Sequence, residues 1–419
     1  MTAGFLQLTI NGDQDSYLTG NPQISFFKSV FKRYSKFSIQ TLSQDISGTP
    51  NFGNTINCLL NKSGDLLKNI YLEITLPDLI KPTNLSWYGY VNNIGCSIID
   101  KIILRINDQI IDTIYGDWID IYNNVNNIDV NNCVLQYNSD FMIRNNDNIP
   151  LEKRKVYLNI PFFFSKNSSI ALPLVSLNQS DITIDISFKN LSDVIKVNNY
   201  DLKDNVKVKS DSKFECNLWA EYIYLDNSEK QLFATKKIEY LIEQTQFNSN
   251  EVLHKNDIKK NIFLDFRHPI KELYWTISID NSNLDDYLKV DHNNITKYTT
   301  RYSNYKDTFD RLSIKLNSLF LVSDFSADYF RKIQSNLYHN NSRNKFIYSY
   351  SFSLLPSQQQ PSGHLNFSEL NDAMFIFDFK NTPQYNSGHA TNGIIKIYAV
   401  NYNILQINSG QGSLLYYTN

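Results

Sequence analysis

The residues of this 419-residue chain that could do chemistry fall into a few small sets. Its histidines are His254, His268, His292, His339, His364 and His389. A metal centre on a β-rich scaffold needs clustered imidazoles, and these never occur as His-x-His. His268, ahead of Pro269, reads as a strand-end hydrogen-bonding residue rather than a ligand. Asp280-Asn281-Ser282-Asn283-Leu284-Asp285-Asp286 has the oxygen density of a calcium loop but lacks its Gly and distal Glu, so a solvated loop is expected. Asp117 and Asp120 flank Trp118 and could share acid–base work. On a strand or turn they are expected to face solvent or to cap backbone groups. Lys28, Lys32, Arg33 and Lys36 interleave with Phe26, Phe27, Phe31 and Tyr34, the pattern of a nucleic-acid patch. That patch is short and stands in a chain of formal net charge −2. Docking against protein is therefore favoured, and direct nucleic-acid binding is not expected. Phosphate-loop, dinucleotide, nucleophile-elbow and His-Glu-x-x-His signatures are all missing. No catalytic residue, cofactor or metal is expected.

Those residues must be positioned by strands. Ile70, Leu72, Ile74 and Leu76 alternate with polar or smaller partners, as do Ile182, Ile184, Ile186 and Phe188, and Phe346, Tyr348, Tyr350, Phe352 and Leu354. Period-two alternation with one apolar face predicts antiparallel sheets packed as a sandwich. Helix is predicted in three places: a short amphipathic piece through Phe26, Phe27, Val30, Phe31 and Tyr34; Ser228 to Lys237, capped by Asn227 or Ser228; and a segment beginning near Asp324 with Phe325, Tyr329, Phe330 and Ile333 on one face. The second helix divides the chain into halves of roughly two hundred residues, each large enough for a sandwich of its own. Both halves end in long Tyr-rich strands, Leu218 to Leu225 and Ile394 to Leu405, which suggests two copies of one fold. Polar inserts at 123–153, 190–213 and 280–306 read as surface loops. Cys58, Cys96, Cys133 and Cys216 lack CxxC spacing and are expected to be free buried thiols. No apolar run reaches the length of about 18 residues that a membrane helix needs.

The opening segment Gln14 to Lys28, with its Gly20-Asn21-Pro22 turn, closely resembles the start of the major capsid proteins of nucleocytoplasmic large DNA viruses. Further blocks resemble the same family in its own order. They include Ser63-Gly64-Asp65-Leu66 leading to Tyr71-Leu72-Glu73-Ile74-Thr75-Leu76-Pro77, then Trp87 with Asn93-Ile94-Gly95, and Tyr115-Gly116-Asp117-Trp118. Pro161-Phe162-Phe163-Phe164 and Leu218-Trp219-Ala220-Glu221-Tyr222 follow. In the second half come Glu239 to Gln244, His268-Pro269-Ile270-Lys271-Glu272-Leu273-Tyr274-Trp275, Gln360-Pro361-Ser362-Gly363 with Asn366-Phe367-Ser368, and Tyr398-Ala399-Val400-Asn401-Tyr402-Asn403.

The resemblance implies an all-β chain made of two consecutive eight-stranded antiparallel jelly rolls with a few short helices. The division expected is an arm at 1–25, a first roll at 26–226, a linker helix at 227–237, a second roll at 238–408 and a tail at 409–419. It implies a homotrimer of pseudo-hexagonal outline that tiles an icosahedral shell. Neighbouring capsomers, minor capsid proteins and an underlying membrane would be its partners. The virion would be its location and the host cytoplasm its place of assembly. Asp15, Tyr17, Asn21, Pro22, Phe26, Phe27, Lys28, Lys32 and Arg33 are the expected contacts of a basal arm. Trp118, Trp219, Pro269, Pro361, Gly363, Asn366 and Phe367 are the expected structural motif positions. A transient scaffold or a minor capsid paralogue with the same trimer is the alternative. A β-sandwich glycan-binding module or metal-dependent enzyme is a more distant one.

Overall fold

The computed structural model describes residues 2–10, 12–29, 31–80, 88–91, 93–126, 128, 154–197, 204–254, 257–279, 307–339, 346–379 and 393–417. They fall into two units, Met1–Lys36 and Phe37–Asn419.

The first unit contains two short helices, α1 (Ala3–Thr9) and α2 (Ser16–Thr19). Asn21 stands at φ 50°, the left-handed turn that Gly20-Asn21-Pro22 announces. The amphipathic helix expected over residues 26–34 does not form, and the described residues of that stretch have no regular structure. Its apolar stripe has nothing to bury against within the unit, since Phe26 is 90% and Phe27 99% exposed. A helix that short is marginal in water without burial.

The second unit repeats one design. Its first half has strands β1 (Phe37–Gln44), β2 (Thr55–Leu59), β3 (Leu66–Leu76), β4 (Ile99–Ile106), β5 (Gln109–Tyr115), β6 (Arg154–Asn159), β7 (Ile182–Phe188) and β8 (Glu215–Leu225). They pair antiparallel in two sheets, ordered β1-β8-β3-β6 and β2-β7-β4-β5. The second half has β9 (Ile238–Phe247), β10 (Lys259–Phe263), β11 (Pro269–Ile279), β12 (Arg311–Leu316), β13 (Leu319–Ser326), β14 (Tyr348–Ser351), β15 (Ala373–Asp378) and β16 (Gly393–Asn408). Its sheets run β9-β16-β11-β14 and β10-β15-β12-β13. Adding eight to each strand of the first order reproduces the second. Each half is thus a jelly roll, its chain wound back and forth between two facing sheets.

Local chemistry explains the strands. Along β7, Ile182, Ile184, Ile186 and Phe188 are buried while Thr183, Asp185 and Ser187 are half-buried. Its antiparallel register places Ile184 opposite Leu104 and Ile186 opposite Ile102, so the apolar faces coincide. Corresponding hairpins use the same turn. Asn107 and Asp108 join β4 to β5, and Asn317 and Ser318 join β12 to β13, all four at positive φ. Two left-handed residues in succession match the twist of the flanking strands.

Two helix expectations need correcting. The linker helix is α4 (Asn227–Thr235), and its cap is Asp226, whose side chain accepts from Glu229 N–H at 2.9 Å. Asp324 and Phe325 belong to β13; the helical turns come later, as a π-turn Tyr329–Ile333 followed by α5 (Gln334–His339). Pairing with β12 claims the segment first, because β pairing there outweighs local helical spacing. The expected strand Phe346–Leu354 pairs only over Tyr348–Ser351. A further helix, α3 (Gly116–Val125), was not expected. It begins at Gly116, where a Cβ would lie 2.2 Å from the carbonyl oxygen of Cys96, so only glycine permits that approach. The insert after Asn190 carries two small ribbons: Ile195–Val197 pairs with Tyr88–Tyr90, and Lys207–Val208 with Leu79–Ile80. Most of insert 123–153 and all of 280–306, with the Asp280–Asp286 segment, lie outside the described residues.

Candidate functional site

The two rolls meet along a seam that is both polar and aromatic. Strand β5 and helix α3 of the first roll face β9, β11 and β16 of the second. Spacing along α3 makes this possible. Trp118, Ile121 and Val125 recur at three- and four-residue intervals and are buried, a signal legible as a helix face. Trp118 sits against Tyr274 (ring centroids 5.3 Å) and Tyr398 (5.6 Å). Tyr115, at the end of β5, packs on Phe247 at 4.9 Å. Aromatic pairs at such separations add to the area they bury. One continuous hydrophobic cluster runs through both rolls.

Charge crosses the same seam. Asp117, buried on the first turn of α3, pairs with Lys396 of β16 and lies 3.6 Å from Lys189. Burial opposes its ionisation, yet the two ammonium groups outweigh that and hold its pKa below the usual carboxylate range. Glu243 of β9 binds Lys166 of the first roll at 3.2 Å and Lys271 of β11. Its burial is likewise outweighed, and its pKa is lowered. Lys166 also lies over the Tyr122 ring at 5.3 Å. These groups border a cavity of about 230 Å³ lined by Trp118, Tyr122, Lys166, Glu243, Lys271 and Tyr274 among others. Beside it, Tyr274 Oη donates to Glu272 Oε2 at 2.6 Å, and His339 Nε2 lies 2.7 Å from Glu272 Oε1. The charges bordering this cavity are matched to one another, which suits a lock between domains better than a reaction centre.

Asp117 and Asp120 therefore do not face solvent or cap a turn. Asp120 is fully buried and accepts from Asn93 Nδ2 at 2.7 Å. Their helix turns them inward, where carboxylates persist only with partners.

Backbone hydrogen bonds stitch the seam further. Gln179 N–H donates to Gly410 O at 3.0 Å, and Leu414 N–H donates to Gln109 Oε1 at 3.0 Å. Thr245 N–H donates to Asp112 Oδ1 at 3.0 Å, and Gln244 Nε2 donates to Ile111 O. Burial pushes the pKa of Asp112 up to about 6 despite the Thr245 and Thr113 N–H donors and the nearby Lys166 charge. An unfolded Asp titrates near 3.9, so the folded chain holds a proton that the unfolded chain has lost between roughly pH 4 and pH 6. Stability due to this group falls as pH rises through that window, and the penalty is complete above it. Asp112→Asn keeps an acceptor for Thr245 N–H. It is expected to stabilise the chain by about 1–2 kcal/mol at pH 7 and to have little effect at pH 4. Thermal melting at the two pH values checks this; equal shifts would contradict it.

The motif residues of the second half form a second cluster at one end of β11. Pro269 opens that strand opposite Asn366. Phe367 N–H donates to His268 O at 3.1 Å, and His268 N–H donates to Ser368 Oγ at 2.8 Å. His268 does sit at a strand end, at φ 67°. Gly363, at φ 137°, would carry a Cβ 2.6 Å from Phe352 O, and Phe367 packs on Phe352 and Phe266. Pro361 stands two residues before Gly363, in the loop leading into this clip. Trp219 lies apart on β8, stacked on Tyr71. In the arm, Asp15 Oδ2 accepts from Gly12 N–H at 2.7 Å, Tyr17 falls within α2, and Pro22, Lys28, Lys32 and Arg33 are exposed. Cys58, Cys96 and Cys216 are buried; Cys133 is outside the described residues. No cluster of His, Cys, Asp or Glu suited to a metal occurs among the described residues. Sequence reading missed Asp112, Lys166, Glu243, Lys271 and Lys396, because no local pattern marks a partner that stands 28 to 279 residues away.

Two jelly rolls of identical strand order, joined side by side through a buried seam, define a double jelly-roll protein of the viral capsid class. Residues 25–226 match the family described as the major capsid protein N-terminus, and residues 229–413 the large eukaryotic DNA virus major capsid protein. The chain is 30% identical to the major capsid protein of Paramecium bursaria Chlorella virus 1, over 99% of this chain and 100% of that one. It is 29% identical to that of Pyramimonas orientalis virus, again over 99% and 100%. Among solved structures it is similar to PBCV-1 VP54, with a TM-score of 0.75 at 26% identity, covering 94% of this chain and 100% of that one. The Faustovirus major capsid protein, at 11% identity and a TM-score of 0.68, shares the fold. The chain belongs to the major capsid protein family of large eukaryotic DNA viruses. Its role is structural, as a subunit of the virion capsid, and not enzymatic.

Proposed function

We propose that this chain forms homotrimers of pseudo-hexagonal outline, and that these capsomers tile an icosahedral shell. The observation that carries the reading is the repetition of one strand order in two rolls locked side by side within one chain. Three chains then supply six nearly equivalent rolls, so a threefold ring has almost sixfold edges and can pack on a hexagonal lattice. Native mass and electron microscopy of the purified protein test it. A trimer with a six-sided outline is expected, and a monomer or dimer at assembly concentrations would refute it. The transient-scaffold alternative is separated by abundance in purified particles.

The division into an arm (1–25), rolls at 26–226 and 238–408, a linker helix (227–237) and a tail (409–419) goes with this reading. The arm, with Asp15, Tyr17, Asn21 and Pro22 shaping it and Phe26, Phe27, Lys28, Lys32 and Arg33 presented outward, docks at the capsomer base against minor capsid proteins or an underlying membrane. Its exposed aromatic and basic side chains in an otherwise neutral chain support that role. Deleting residues 1–30 is expected to leave the melting temperature of the rolls unchanged and to abolish shell assembly. Unaltered trimers together with unaltered shells would remove the arm from this role. Inserts 123–153 and 280–306 face outward or toward trimer mates in this arrangement. Free buried thiols at Cys58 and Cys216 suit assembly in the reducing host cytoplasm.

A further inference from the structure

The cavity of about 230 Å³ at the seam is unevenly supplied with hydrogen-bond partners. Its ion pairs are matched, but its donors outnumber its acceptors. Glu243 accepts from Lys166 through Oε2 at 3.2 Å and from Lys271 through Oε1. Beside the cavity, Glu272 has one oxygen on Tyr274 Oη and the other on His339 Nε2. Every one of these carboxylate oxygens has a partner. The donors are less well served. A lysine ammonium has three N–H groups and an indole has one. Among the described residues, Lys166 donates to Glu243 alone, Lys271 donates to Glu243 and to Pro356 O, and Trp118 Nε1–H has no acceptor. All three side chains line the cavity. Lys166 is 15% and Lys271 7% exposed at the side chain, and Trp118 is 2% exposed. Buried donors left unspent are costly unless something accepts from them. Burial disfavours the Lys166 cation, yet Glu243 and its neighbours outweigh that and raise its pKa, so the group stays charged.

We propose that this cavity binds a small organic anion, one carboxylate carried on a compact apolar body. Its space equals that of about seven water molecules. Water is a poor filling, because each molecule brings O–H donors into a site already short of acceptors. A carboxylate brings acceptors only, and its hydrogen bonds to ammonium groups are charge-assisted. The rest of the lining suits the body of such a molecule, since Tyr122, Phe163, Ile170 and Val400 present aromatic and aliphatic surface. The rim includes exposed Asn126 and Ser357, so the cavity opens to solvent. Trp118 and Lys166 belong to the first roll and Lys271 to the second, and the anion is held by both. Binding of that kind stabilises the joined rolls by mass action.

Calorimetric titration of the full-length chain with benzoate tests it. One site per chain is expected, with a dissociation constant of about 1 mM or tighter, well within the limit for a ligand of that size. The melting temperature should rise with benzoate concentration. Benzamide has the same shape without the charge and should bind at least about tenfold more weakly. Trp118→Phe keeps the ring contacts and removes the indole N–H. It should weaken benzoate binding about tenfold, and Lys166→Met about a hundredfold. Trp219→Phe, remote from the cavity on β8, should leave binding unchanged. Near-ultraviolet circular dichroism without benzoate reports whether each variant is folded. A further measurement needs no substitution: the iodine of 4-iodobenzoate, located by anomalous scattering in crystals of the unaltered chain, should lie in this cavity. No saturable benzoate binding below about 10 mM, equal binding of benzamide, or iodine found only on the outer surface would each overturn the inference. Unweakened binding by folded Trp118→Phe and Lys166→Met would do the same. None of these outcomes touches the trimer reading, which stands or falls on the oligomeric state.

Discussion

Replacing Trp118 by alanine should destabilise the chain by about 4 kcal/mol, among the largest losses a single truncation gives. The indole is almost wholly buried and is wedged between Tyr274 and Tyr398, which belong to the other roll. Its Nε1–H has no hydrogen-bond partner among the described residues, so the loss is one of packing and ring contact. The adjoining cavity of about 230 Å³ would grow, and the flanking sheets are too firmly paired to collapse into it. Trp118→Phe should recover more than half of the loss by restoring the ring contacts. Equilibrium unfolding in denaturant, followed by both fluorescence and circular dichroism, measures this. A loss below about 1 kcal/mol would mean that the seam is not held by this residue.

Glu243→Gln should cost about 3–5 kcal/mol at pH 7, the range for removing one member of a buried ion pair. The carboxylate stands between Lys166 of the first roll and Lys271 of the second, all three largely shielded from water. Its amide replacement leaves both ammonium groups buried without their counter-ion. The pH dependence carries a sign that a packing defect would not. In the unaltered chain Glu243 has a depressed pKa. Its stabilisation is therefore present above the unfolded carboxyl pKa of about 4.3 and is lost as pH falls through the folded value. In the variant, Lys166 loses the partner that holds its pKa up, and burial then favours the neutral amine. Its folded pKa drops below the unfolded value near 10.4, so stability rises with pH between the two and the deficit narrows. A deficit independent of pH from 7 to 10 would show that Glu243 acts through shape alone.

Period-two alternation marked the strands, and most of them lie where Ile, Val, Phe and Tyr alternate with polar residues. The same reading failed at Asp324 and Phe325, where helical spacing and a strand compete within a few residues. Pairing with Arg311–Leu316 decides the matter, and a window of sequence does not contain that partner. It failed again at Asp117. The helix face Trp118, Ile121 and Val125 was overlooked in favour of a strand or turn, and the cation that stabilises a buried carboxylate there comes from Lys396, 279 residues away.

The order of residues alone is enough to read an all-β chain with two similar halves, without a known catalytic signature and resembling one capsid family. Alternation, turn residues and motif order are local properties, and they survive in a linear reading. Which strand of each roll is covered, and which charges cross between the rolls, follows from the folded arrangement. Burial and ion pairing depend on distance in space, with strengths set by the low dielectric of the contact. Residues as far apart as Gln109 and Leu414 acquire those properties only once both rolls have closed and met.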